Sequence, residues 1–258
     1  MDAIVTAGGI PEPGEPLYEY TKGGYKALLD VAGKPMIQWV LDALCGANLV
    51  DRVVVVGLPP DSGVTCNKAL SFLPNQGGML DNVRFGAEKL LEWNPHASHM
   101  LTVSSDIPGI TSEMVNWLVE TVQQTDHDAY YNIITRQVME NRYPTSKRSY
   151  IHLRGMEVCG GDMNALRVRT VMAKEELWDR IVDARKSALK QAALIGYDTL
   201  FMLLLRVLTI EGAEKTATKK LGVTARAIIC PYAEVGMDVD KPHQLEIMRA
   251  DLARVPMA

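Results

Sequence analysis

The chain has 258 residues, enough for one large α/β domain or two small ones with a sizeable core. Apolar residues make up 47% and charged residues 22%, as in ordinary soluble globular proteins, and 27 basic against 31 acidic residues give a net charge of −4. That balance implies no broad nucleic-acid-binding surface.

Cys45, Cys66, Cys159 and Cys230 show no CxxC spacing, so neither a zinc site nor a disulfide framework is expected. No basic segment followed by an apolar one marks a signal peptide, and the expected compartment is the cytoplasm.

Ala3 to Thr6 form a short apolar run ending at Gly8 and Gly9, the pattern of a buried parallel strand running into a sharp turn. Two glycines there let the backbone approach a ligand closely, with N–H groups free to cradle phosphate. A loop rich in proline and glycine leads to Lys26. Met36, Ile37, Val40, Leu41 and Leu44 then recur at helical spacing, with Pro35 suited to the first turn. Strand, glycine turn, lysine-bearing loop and helix point together to triphosphate binding, although a glycine pair alone is most often only a connection.

Further along, Val53–Val56 predict a second strand, paired with the first through a right-handed crossover. The region from Leu58 to Leu73 is mixed and turn-rich. PNQGGMLDNVRFGAEKL then reads as a glycine loop opening a helix, with Val83, Phe85 and Leu90 or Leu91 inward. Met100–Ser104 predict a third strand, ending in S-S-D-I-P-G-I-T. A carboxylate at that end of a central strand stands where open α/β sheets bind ligands, which makes Asp106 a candidate. Thr111 or Ser112 caps the next helix, with Met114, Trp117, Leu118 and Val122 inward.

Asp128–Ile134 predict another strand, followed by a basic loop and a strand–turn–strand unit. Arg142, Lys147 and Arg148 form a cluster that could clamp an anion or simply be solvated. From about 173 to 222 the alternating rhythm breaks into successive helices. Asp198 and Arg206 interrupt their most apolar run, so no membrane span is expected; a buried insertion helix is, with a homodimer face or a membrane-surface patch as alternatives. Ala227–Cys230 predict a last strand, and a closing helix starts near Pro242 with Leu245, Ile247 or Met248 and Leu252 inward. Between them, Asp238 and Asp240 sit two apart and face the same way in extended chain. No histidine has metal-ligand spacing, and packing or surface roles are expected for all five.

The order A-G-G…K-A-L-L-x-V-x-G-K-P-M-I-x-W-V-L resembles the N-terminal signature of the MobA-like sugar-phosphate and cofactor nucleotidyltransferases, A-A-G-x-G-x-R-M-x…P-K-x-L-L-x-x-x-G-K-P-x-L. D-V-D-K-P-H-Q-L at 238–245 is similar to the family's closing D-V-D-T-P-E-D-L. Here the two loop glycines are adjacent, the usual arginine is absent, the loop is longer, and Lys22 is the nearest basic substitute. The resemblance implies one domain over 1–258 with a nucleotide-diphospho-sugar transferase-like fold. That fold is three-layer α/β/α, with a mixed, mostly parallel sheet and here a helical insertion.

It also implies the site. Ala7, Gly8, Gly9 and Lys26 would hold the NTP phosphates, and Asn75, Gly77, Gly78 and Asn82 the base and ribose. Asp106 and Asp238 would hold Mg²⁺, with Asp240 as a helix cap. Lys147, Arg148, Gly161, Asp162 and Asn164 would face a phosphorylated acceptor. The expected reaction moves NMP from the NTP to that acceptor with release of pyrophosphate, Lys26 and Asp106 being catalytic. The alternatives are a glycosyltransferase using a sugar nucleotide and a non-catalytic nucleotide sensor.

Overall fold

A computed structural model describes residues 1–173, 202 and 205–254. Its frame is a nine-stranded mixed sheet. The first strand, β1 (Asp2–Thr6), leads through a glycine turn into a loop with one short helix, α1 (Tyr18–Thr21). A 3₁₀ turn at Lys26–Leu28 and a two-stranded hairpin, β2 (Asp30–Val31) and β3 (Lys34–Pro35), follow. They deliver the chain to α2 (Met36–Gly46). Pro35 is the residue before this helix rather than its first turn, because it still pairs with Asp30.

Then come β4 (Arg52–Val56), β5 (Ala69–Leu73), α3 (Met79–Trp93), β6 (His99–Ser104), α4 (Ser112–Gln123) and β7 (Ala129–Thr135). The rest is α5 (Arg136–Arg142), β8 (Ile151–Leu153), β9 (Met156–Gly160), β10 (Met163–Arg167) and α6 (Val168–Ala173). Beyond the gap in description lie α7 (Ile210–Leu221), β11 (Ala225–Ile229) and α8 (Pro242–Leu252).

The sheet runs β5-β4-β1-β6-β10-β7-β9-β8, with β11 on the other edge of β7. Strands β5, β4, β1 and β6 are parallel, β10 is antiparallel to β6 and β7, and β11 is parallel to β7. Val53 to Val56 and Ala3 to Val5 are all fully buried, as expected for strands covered on both faces. Helices α2, α4 and α8 belong to the hydrophobic cluster on one face, and α3 and α6 to the cluster on the other. This is the expected three-layer α/β arrangement. Met36, Ile37, Val40, Leu41 and Leu44 are completely buried on α2, each worth roughly 1.5–3 kcal/mol of apolar burial.

Several expectations need correction. The turn-rich stretch contains β5, which pairs in parallel with β4; ALSFL lies at the sheet edge and is only half-buried, so it has no clear apolar signature. Phe85 is half-exposed on α3, and Gly86 and Ala87 face the sheet instead. A Cβ on Gly86 would come within 2.8 Å of Ile4, so a larger side chain there would push the helix away. On α4 the buried residues are Val115, Leu118, Val119 and Val122, with Met114 and Trp117 half-buried. Thr111 caps this helix by accepting from the Met114 amide at 3.5 Å.

Cys45 and Cys66 form a disulfide, contrary to the reading of their spacing. The two half-cystines come from the end of α2 and the loop before β5. Gln38 fixes that loop to α2, its side-chain amide donating to the Thr65 carbonyl at 2.9 Å and accepting from the Thr65 amide at 2.9 Å. Cys159 and Cys230 are free and buried.

Most of the predicted helical insertion, including its apolar run and the dimer face expected on it, lies outside the described residues. Within them, α7 starts at Thr209, whose hydroxyl accepts from the Gly212 amide at 3.0 Å, and stops at left-handed Gly222. No helix among the described residues is long and apolar enough to cross a membrane.

Candidate active site

At the C-terminal ends of the parallel strands, three turns converge: the glycine turn after β1, the loop before α3, and the turn after β6. A cavity of 290 Å³ opens there, lined by Gly8, Gly9, Lys26, Asn75, Gly77, Gly78, Asn82, Ser105 and Asp106 among others. Every residue predicted for nucleotide contact except Ala7 therefore borders one space. Ala7 lies beneath it, buried, with its amide donating to the Val56 carbonyl at 2.8 Å.

Packing dictates the glycine turn. Asn75 donates to the Gly8 carbonyl at 3.3 Å, and its side chain leaves no room for a Cβ on Gly8. Asn82 donates to the Asn75 side-chain oxygen at 3.0 Å and accepts from the Gln76 amide at 2.7 Å, so it orders the second loop rather than only facing a ligand.

Gly57, which the sequence reading passed over, presses on the same turn. It follows β4 with φ +108°, and a Cβ there would stand 2.3 Å from the Gly8 backbone. Its signal was available, since it follows a buried strand just as Gly8 does.

Lys26 is placed by its own amide, which donates to the Gly9 carbonyl at 2.9 Å. Its ammonium donates to Asp106 at 2.6 Å and to Asp240 at 2.5 Å. Burial alone would lower the Lys26 pKa; Asp106 and Asp240 outweigh it and hold the group above the ordinary lysine range. Lys26 also borders a second cavity of 490 Å³, shared with Ile10, Pro11, Leu17, Asp240 and Lys241.

The C-terminal pair is docked by the Val239 amide, which donates to the Asp106 carbonyl at 2.9 Å. Asp240 does not cap α8 as expected. The N-cap is Lys241 without a side-chain cap, and Gln244 accepts from the Asp240 amide at 3.0 Å. The Asp240 carboxylate instead meets Lys26, which overcomes the burial penalty and lowers its pKa.

Asp238 is ion-paired with Arg148, and both side chains are largely buried. Burial raises the Asp238 pKa against the pull of Arg148, with Asp162, Asp240 and Asp106 adding repulsion. Asp162 is fixed by its backbone: its amide donates to the Val235 carbonyl at 2.9 Å, and its carbonyl accepts from the Ser104 amide at 2.8 Å. Burial and then the Asp106 charge push its pKa up to about 6.

Other predicted acceptor residues divide. Gly161 lies where a Cβ would crowd Val235, Asn132 and Ile134. Asn164 spends its side chain inside the sheet, accepting from the Asn132 amide at 2.8 Å and donating to the Gly161 carbonyl at 2.9 Å. Lys147 is exposed, has a left-handed backbone (φ +54°) and borders neither cavity. Arg142 is engaged with Glu234 at 2.8 Å and Asp251 at 2.6 Å, away from the cluster. Lys22 is exposed at the end of α1.

Among the described residues, Asp106, Asp162, Asp238 and Asp240 thus face only two cationic side chains, Lys26 and Arg148. One oxygen of Asp106, Oδ1, is buried without a hydrogen-bond partner. These features fit a divalent cation. No three His, Cys, Asp or Glu side chains among the described residues form a complete metal cage.

The solved structure of a hypothetical transferase from Thermus thermophilus is 36% identical, with TM-score 0.83 over 95% of this chain and 98% of that one. A CMP:2-keto-3-deoxy-manno-octonic acid synthetase complexed with CTP is 17% identical, with TM-score 0.60 over 98% of each chain. A 2-C-methyl-D-erythritol 4-phosphate cytidylyltransferase, also from Thermus thermophilus, is 16% identical, with TM-score 0.53 over 99% of this chain and 100% of that one. The last two extend the likeness in fold. No curated protein sequence matches. Residues 4–140 match the MobA-like NTP transferase domain, and the chain belongs to that family.

Proposed function

We propose that the protein is a Mg²⁺-dependent nucleotidyltransferase that moves NMP from an NTP to a phosphorylated small-molecule acceptor. The observation that carries this reading is Lys26, whose ammonium stands between Asp106 and Asp240 where two cavities share a wall. The Gly8–Gly9 turn and Lys26 bind the triphosphate, and Asn75 with the Gly77–Gly78 loop lies against the nucleoside. Asp106 and Asp238 would hold the Mg²⁺, which supplies charge neutralisation and alignment of the phosphates.

An oxygen of the acceptor phosphate attacks the α-phosphorus in line. The new P–O bond forms as the α–β bridge breaks, and pyrophosphate leaves with its electron pair. Lys26 and the glycine-turn amides stabilise charge developing at that phosphorus, so catalysis is mainly positioning and electrostatics. An acceptor oxygen already ionised at neutral pH needs no general base.

Thermal-shift binding of all four NTPs, with and without Mg²⁺, on wild type and Asp106→Ala tests the reading without an acceptor. One NTP is expected to stabilise wild type in a Mg²⁺-dependent way that the variant loses. Stabilisation by a sugar nucleotide alone would replace this reading with glycosyl transfer, and no stabilisation by any nucleotide would sink both.

A further inference from the structure

Among the described residues, the four carboxylates of the cluster are matched by only two cations, and the two differ in how they are held. Lys26 is tied to two carboxylates by good hydrogen bonds. Arg148 is ion-paired with Asp238 and only 3.5 Å from the Gly160 carbonyl, and its Nε–H is buried with no hydrogen-bonded N or O partner. The Cys159 thiol beside the guanidinium is a weak acceptor at best. A guanidinium buried for structural reasons normally satisfies its whole donor fork. Arg148 meets one strong acceptor, Asp238, with only a long carbonyl contact and a thiol besides. The partner it serves is the carboxylate that, with Asp106, would otherwise face a divalent cation.

Resting on the function proposed above, we infer that Arg148 occupies the cation's seat on Asp238 in the ligand-free protein. The arriving cation displaces it and frees its donor fork for a phosphate-class oxyanion. Two positive groups cannot share one carboxylate at close range without repulsion, whereas a guanidinium fork matches a tetrahedral oxyanion through two donors. Arg148 is then a positioning residue whose availability to the acceptor phosphate depends on metal already being bound. Metal and oxyanion reinforce each other's binding, as reciprocal linkage requires. Arg148 also reduces the excess negative charge of the cluster.

The test is Mn²⁺ binding by electron paramagnetic resonance, without nucleotide, on wild type, Arg148→Ala and Arg148→Met. The Met variant keeps most of the buried volume should Ala fold poorly, and circular dichroism checks both. Removing the competing cation should tighten Mn²⁺ binding on the order of tenfold, the lower end for a charged hydrogen bond. Adding Asp238→Asn should abolish the gain. Calorimetry with sulfate should show Mn²⁺ strengthening sulfate binding to wild type and not to Arg148→Met.

Unchanged or weaker Mn²⁺ binding in the folded variants overturns the inference, as does sulfate binding indifferent to Mn²⁺ in wild type. If the Mg²⁺-dependent NTP shift survives in wild type, the failure belongs to Arg148 alone; if it too is absent, the nucleotidyltransferase reading falls with it.

Discussion

Replacing Lys26 with methionine keeps the chain's length and apolar stem while removing the cation that Asp106 and Asp240 share. Lys26 and Asp106 are 18% and 16% exposed, whereas Asp240 is 56% exposed. Solvent discounts the Asp240 contact to no more than about 1 kcal/mol. Leaving Asp106 without its partner costs about 3 kcal/mol, the lower end for a broken buried pair because neither group is fully enclosed.

The total, roughly 3–4 kcal/mol, should lower Tm by about 6–15 °C for a chain of this size. The sign with pH follows from the carboxylates. Against the burial penalty, Lys26 holds the Asp240 pKa below the ordinary carboxylate range, a contribution that is present above about pH 4 and lost as pH falls through the lowered value, so the deficit left by removing Lys26 fades there too. Differential scanning calorimetry at matched scan rates should therefore find a large Tm deficit near pH 7.5 that narrows below about pH 4. Mg²⁺ should recover part of the loss. A deficit that is negligible near neutrality, or constant with pH, would refute the electrostatic account of Lys26.

Gly57→Ala places a Cβ against the Gly8 backbone in a left-handed conformation. A loss of about 1–3 kcal/mol is expected from strain alone, with NTP-induced stabilisation falling more than the Tm, and an unchanged nucleotide shift would count against the turn's role. Asp162→Asn should stabilise the protein above pH 6 by about 1–3 kcal/mol and not near pH 4, since a raised folded-state pKa withdraws stability as pH rises from about 4 through about 6. A pH-independent effect in thermal melts would contradict that. Reducing the Cys45–Cys66 bond, which spans 21 residues, should cost about 3 kcal/mol by releasing the closed loop in the unfolded chain. A reductant should lower Tm in wild type and leave the less stable Cys66→Ser variant unmoved; insensitivity of the wild type would contradict the estimate.

The central strands and α2 were readable because their burial writes itself as uninterrupted β-branched runs and a helical stripe. That Gly8 and Asp106 border one cavity was readable because each lies just beyond the end of a buried strand, whereas Lys26 and Asn75 could be placed beside them only through the family signature. β5 was not readable, because a half-buried edge strand need not alternate. The disulfide was not, because residues 21 apart meet only once α2 has packed and the loop after β4 has folded back over it. Asp240 was assigned to the helix start by local logic that is sound in isolation. What overrides it is a lysine 214 residues away, and no window of sequence contains both.

That separation has a consequence for the order of assembly. The Lys26–Asp106 and Lys26–Asp240 contacts close spans of 80 and 214 residues, and the Val239–Asp106 hydrogen bond docks the same C-terminal segment. Contacts between such distant residues form late, after nearer pairings have shortened the effective loops. The β5-β4-β1-β6 half of the sheet can therefore gather while the charge cluster is still open. The charge cluster is complete only when Asp240 reaches Lys26, so its closure marks the completion of the fold.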